Sequence, residues 1–177
     1  MKKMIAIAAL IFFIPFGVLS QTWNPTTYNI SFKVKNAGIG VNGKFSNLKT
    51  EIIFNPEKLS TSKIKGTVES GTLKTGIGMR DNNVKDEHYL NAAHYKLIEI
   101  SSEKLYPKGT QYAGIFKVSI KGVTKEMEIP FDFIQFGDEA DFNSTFTLNR
   151  RDFNVGGGSM TMGDEVTVTI KVKARRS

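Results

Sequence analysis

Few side chains in this sequence have the type and spacing that chemistry needs. Its two histidines, His88 and His94, stand six residues apart, which does not put them on one helical face, and there is no cysteine. A transition-metal site needs a cluster of such ligands, so no metal is expected. No Gly-x-Ser-x-Gly nucleophile turn occurs, and no catalytic residue is assigned. The glycine-rich run at 71–78 carries neither a dinucleotide fingerprint nor the Gly-Lys-Ser/Thr of a phosphate loop. Arginine remains. Arg80 follows Gly76-Ile77-Gly78-Met79, and Arg150 with Arg151 ends an apolar run shortly before Gly156-Gly157-Gly158. A guanidinium at the mouth of a cavity can pair with an anionic or carbonyl group. It can equally pair with Asp81, Asp86 or Asp152 and tie chain segments together. Arg80 and Arg150 are therefore candidates for contact with a ligand head group, with structural pairing as the competing role.

The elements that must position these residues are strands. Tyr112, Phe116, Val118 and Ile120 alternate with Lys117, Ser119 and Lys121. Met127, Ile129, Phe131 and Phe133 alternate with Glu126, Glu128 and Asp132; Phe142, Phe146 and Leu148 with Asn143, Thr145 and Thr147. Val166, Val168, Ile170 and Val172 close the series against Glu165, Thr167, Thr169 and Lys171. A period of two gives each strand one dry and one wet face. Four such strands in succession with short polar connections give an antiparallel sheet. Earlier strands are expected from about Tyr28, over 41–54 with a bulge or bend at Gly43, over 63–70 and over 95–101. Pro130, inside a strand, marks an edge or bulge, and the triple glycine marks a loop. One short helix is expected near residues 81–90, capped by Asp81 or Asn82. The fold class is all-β, with about eight antiparallel strands closing on themselves as a barrel or sandwich.

Residues 1–20 read as a signal peptide: Lys2 and Lys3, then an apolar stretch over 4–18 that is shorter than the ~20 residues a membrane-spanning helix needs. Residues 21–177 form one domain, stabilised without disulfides. Without Lys2 and Lys3, 22 basic residues stand against 17 acidic ones, a net charge of +5. The lysines are scattered over polar strand faces, which serves solubility and edge protection. No aromatic-basic platform points to nucleic acid. The expected location is periplasmic or secreted. Transient contact with a membrane surface and pairing into a homodimer are left open.

The chain resembles the YceI-like family of secreted, lipocalin-like β-barrels. The resemblance rests on Trp23, Ser31-Phe32-Lys33-Val34-Lys35-Asn36, Gly43-Lys44-Phe45, Thr75-Gly76-Ile77-Gly78-Met79-Arg80-Asp81, Lys121-Gly122-Val123-Thr124-Lys125, Asn149-Arg150-Arg151-Asp152-Phe153 and Met162-Gly163-Asp164-Glu165-Val166, in that order. It implies a lipocalin-like barrel that binds an isoprenoid lipid, a polyprenyl chain or an isoprenoid quinone, without enzymatic activity and without another cofactor. The lumen would be lined by large residues of the dry faces: Phe32, Val34, Phe45, Phe116, Val118, Phe131, Phe133, Phe146 and Leu148. Competing functions are a barrel used only for protein contacts and a small outer-membrane barrel.

Overall fold

Strands form where apolar and polar residues alternate, and each turns its apolar set inward. The computed structural model describes residues 21–177; the signal peptide expected over 1–20 lies outside the described residues. Nine strands follow in order: β1 (Thr22–Asn36), β2 (Ile39–Phe45), β3 (Lys49–Ile53), β4 (Lys63–Glu69), β5 (Leu97–Lys108), β6 (Gln111–Ile120), β7 (Val123–Phe136), β8 (Glu139–Asn149) and β9 (Met162–Arg176). All pairings are antiparallel, and β9 pairs back onto β1 to close a barrel. Closure removes the edges that a flat sheet of this length would expose, apart from the outer edge of the short β2.

The nine strands occupy eight positions around the barrel. β2 pairs with residues 30–36 of β1, and β3 with residues 22–23 of the same β1 edge. The single region expected over 41–54 is thus two strands, broken at residues 46–48. The Tyr28 hydroxyl spans the break, accepting from the backbone N–H groups of Asn47 at 3.1 Å and Leu48 at 3.4 Å. Gly43 makes no bulge. It pairs in register with Phe32, whose ring would lie 2.4 Å from any Cβ at that position. The glycine is what lets the Phe32 ring cross the neighbouring strand.

Two hairpins turn on pairs of positive-φ residues, Ala37-Gly38 and Lys121-Gly122. Such two-residue turns match the twist of the strands they join. Pro130 does mark an edge: it pairs with Ala113 of β6, while the β7–β8 ladder begins only at Asp132. Its missing N–H therefore costs no rung.

The helix, α1 (Gly78–Lys85), starts three residues before the expected position and ends five earlier. Asp81 is not its cap; it reaches back to Thr75 instead. At the far end Asp86 turns extended and its carboxylate accepts from the Glu87 N–H at 2.7 Å, which stops the helix. Residues 86–95 continue as turns.

The two ends of the barrel are packed differently. At one end Trp23, Phe54, Phe133 and Phe142 form an aromatic floor, with Phe54 and Phe133 centroids 4.8 Å apart and Trp23 set edge-on to Phe133 at 5.4 Å. Edge-on and tilted ring pairs of this kind add to the area they bury. Trp23 Nε1 donates to the Phe54 carbonyl at 2.9 Å, so the buried indole is satisfied. At the other end Leu73, Leu90 and Phe153, all buried, form a roof with Val84 of α1.

Candidate functional site

Between floor and roof lies a cavity of about 240 Å³. Its walls are the inward residues of the strands, and almost all of the surface it presents is carbon. Eight of the nine residues proposed for the lumen lie on it: Phe32, Val34, Phe45, Phe116, Val118, Phe131, Phe146 and Leu148. Phe133 does not; it is drawn into the floor against Trp23, Phe54 and Phe142. Phe131 belongs to both, stacked on Tyr112 with centroids 5.7 Å apart while also facing the cavity.

Leu48, Ile64, Ile100, Val168 and Ile170 also line the cavity, beyond the residues expected from sequence. The period of two in β9 already put Val168 and Ile170 on the dry face, so a signal for them existed. Thr50 also lines the cavity, and its hydroxyl is buried with no hydrogen-bond partner among the described residues.

The two arginines have different placements. Arg150 borders the cavity and is buried, but all five of its N–H groups are used. Nε donates to Gly163 O at 3.0 Å, Nη1 to Val155 O at 2.8 Å and Gly157 O at 3.0 Å, and Nη2 to Met162 O and Asp164 Oδ1, both at 3.0 Å. A planar fork with five donors is what this ring of carbonyls requires. Arg150 thus ties the loop over 154–161 to the start of β9. Arg80 lies outside the cavity lining; Nε donates to Thr75 Oγ1 at 2.9 Å and Nη2 to Thr75 O at 3.0 Å.

The same Thr75 donates its hydroxyl (2.5 Å) and its backbone N–H (2.6 Å) to Asp81 Oδ1. The hydroxyl first, the N–H next, and the charges of Lys74 and Lys85 hold the Asp81 carboxyl below the ordinary carboxylate range, against the opposing effect of burial. Because the folded chain favours the ionised form, its contribution is complete above the unfolded value of about 3.9. It is lost as pH falls through the lowered folded value. Acid is therefore expected to loosen the 75–81 corner only below the pH at which ordinary carboxylates titrate. Amide exchange at Thr75 should show this in the parent chain and lose that acid dependence in Asp81→Asn; an identical acid profile in the two would contradict it.

His88 and His94 are exposed and pack edge-on to Tyr89 and Tyr95. Among the described residues no group of three or more histidines and carboxylates is placed to hold a metal ion. The outer strand faces carry charged cross-strand pairs, among them Lys117–Glu103, Lys108–Glu128 and Lys173–Asp141. Polar outside and dry inside is the reverse of a barrel that faces lipid with its outer surface.

A closed antiparallel barrel, charged outside and apolar within, is a lipocalin-like fold. The chain belongs to the YceI-like family, whose YceI-like domain matches residues 22–174. Among its relatives is a UPF0312 protein of Pectobacterium carotovorum, 23% identical over 154 residues that cover 83% of this chain and 80% of that protein. The fold is similar to that of BcnA from Burkholderia cenocepacia, with a TM-score of 0.79 at 22% identity, covering 82% of this chain and 95% of that one. It is also similar to a polyisoprenoid binding domain from Saccharophagus degradans implicated in plant cell wall breakdown. There the TM-score is 0.69 at 11% identity, covering 90% of this chain and 100% of that one.

Proposed function

We propose that this protein is a periplasmic or secreted binding protein that holds an isoprenoid lipid, a polyprenyl chain or isoprenoid quinone, inside its barrel for carriage, storage or protection under stress. The observation that carries this reading is the carbon-lined lumen of about 240 Å³. The ligand class is supported by membership in the YceI-like family and by the polyisoprenoid-binding description of the Saccharophagus domain. Export is inferred from the leader read in residues 1–20. The role is retention of a ligand, not turnover, since the lumen presents apolar walls and its one arginine is fully engaged by the protein.

Burial of hydrocarbon supplies the affinity. At ~0.8 kcal/mol per buried methylene, a few isoprene units offer roughly 10 kcal/mol before the costs of ordering the chain. A dry lumen of fixed size also sets a limit on that gain. Affinity for a series of prenyl alcohols is expected to rise about tenfold or more per isoprene unit for the first few units. It should then level off once the added units no longer fit. Titration of Trp23 fluorescence measures this, and affinity independent of chain length would overturn the lumen reading.

A further inference from the structure

The lumen is stoppered at its floor by Trp23 and Phe54 and at its roof by Leu73, Leu90 and Phe153. Between these two ends the wall is held together by strand ladders over most of its circumference. Even β2, whose second edge has no neighbouring strand, exchanges two backbone hydrogen bonds between Lys44 and Lys74, at 2.9 and 3.0 Å. Two stretches carry no ladder: one edge of β1 residues 24–29, which lies between the β3 and β2 pairings and is spanned by the Tyr28 hydroxyl bonds to Asn47 and Leu48, and the parting between β7 and β8. The β7–β8 ladder runs only from Asp132↔Asn143 to Phe136↔Glu139. β7 nevertheless continues back to Val123, paired with β6 over 123–131, and β8 continues to Asn149, paired with β9 throughout. Residues 123–131 and 144–149 therefore face each other with no rung between them among the described residues.

The lips of this parting are apolar on the inside, with Ile129 and Phe131 on β7 and Phe146 and Leu148 on β8. Pro130 sits on one lip and has no N–H to leave unpaired. One side-chain contact clasps the foot of the parting: Ser144 Oγ donates to the Pro130 carbonyl at 2.6 Å. Immediately outside lies a polar hollow of about 190 Å³, bounded by Gln111, Asp132, Thr145 and Lys171 among others. The hollow and the lumen share Phe131, Asn143, Ser144 and Ile170. An apolar space and a polar one thus meet where the ladder stops.

We propose that the parting of β7 and β8 is the doorway through which an apolar chain slides into the lumen, and that the hollow outside it receives the ligand's polar end. The inference rests on the reading of the lumen as a lipid site. No rung has to break for a chain to pass, only the Ser144–Pro130 contact. The hollow holds one cation, Lys171, and one anion, Asp132, to which Gln111 Nε2 donates at 2.8 Å. That balance suits an uncharged hydroxyl or carbonyl end better than a diphosphate, which calls for several cations.

The chain has no cysteine, so introduced thiols can pin the doorway. Glu128 and Thr147, both exposed, would face one another if the β7–β8 register continued. A Glu128→Cys/Thr147→Cys protein is joined by a bis-methanethiosulfonate linker long enough to span the gap. Ser119→Cys/Thr124→Cys, on an intact β6–β7 rung, is joined as the control. Uptake of a dansyl-labelled polyprenol from phosphatidylcholine vesicles is followed by energy transfer from Trp23, the one tryptophan. The doorway cross-link is expected to slow uptake at least tenfold, with reduction of the linker restoring the rate, while the control cross-link has no effect. Equal rates in both cross-linked proteins overturn the doorway and leave the lumen reading standing. No uptake by any form, cross-linked or not, overturns the lumen reading and the doorway with it.

Discussion

Phe146→Glu is expected to abolish lipid retention in a barrel that still folds. Phe146 lies on β8 opposite Val168, half-buried, with its ring on the lumen. It takes no part in the aromatic floor, unlike Phe131, which stacks on Tyr112 and meets Phe54 edge-on at 5.6 Å. A carboxylate at 146 can remain hydrated while the lumen is empty. Once a hydrocarbon chain fills the lumen, that charge is stripped of water at a cost of several kcal/mol. Each 1.4 kcal/mol is tenfold in affinity, so a loss of at least about 100-fold is expected. Phe133→Glu provides the contrast. It places the charge among Trp23, Phe54 and Phe142 and should unfold the barrel outright. Circular dichroism and extraction of the purified variants separate the two outcomes. Undiminished lipid in folded Phe146→Glu would remove Phe146 from the site.

The second large effect concerns stability. Arg150→Lys keeps the positive charge but replaces a five-donor fork with a single ammonium, which cannot reach four carbonyls and Asp164 together. Several acceptors then lose their donor, each at a cost of about 1 kcal/mol or more. A net destabilisation of about 3 kcal/mol is expected. In a chain of this size it lowers the melting temperature by roughly 6–12 °C. The loop over 154–161 should loosen first, because Arg150 holds it through Val155 and Gly157 and anchors it to Met162 and Gly163 of β9. A melting temperature unchanged within a degree or two would show that backbone contacts, not this guanidinium, hold the loop.

Much of the barrel was legible because strand faces obey a local rule. Val118 and Ile120 point inward for the same reason that Lys117 and Ser119 point outward, and no distant residue is needed to decide it. Pro130 announced an unpaired edge because a missing N–H is a property of the residue itself. Other features depend on partners far along the chain. Nothing local separates Phe131 from Phe133, two residues apart on one face. Their roles diverge because Trp23, from the start of β1, meets Phe133 and sets the depth of the floor. The helix was misplaced because Asp81 looks like a cap in sequence, whereas its hydrogen bonds go to Thr75, which precedes the helix. Arg150 as a candidate for the ligand was read from its position at a mouth. Its five acceptors come from residues 155–164, and only the return of that loop brings them together. The break between β2 and β3 was likewise hidden, since Tyr28 bridges it from another strand.

An isoprenoid lipid is expected in the lumen. The most direct test is to express the full precursor with export, purify the protein without detergent, extract it with organic solvent and analyse the extract by mass spectrometry. A polyprenyl species, or a quinone with such a tail, is expected in stoichiometric amount with the protein. A well-folded protein that emerges empty, and that also fails to bind added isoprenoids, would contradict it and identify the barrel as a module for protein contacts.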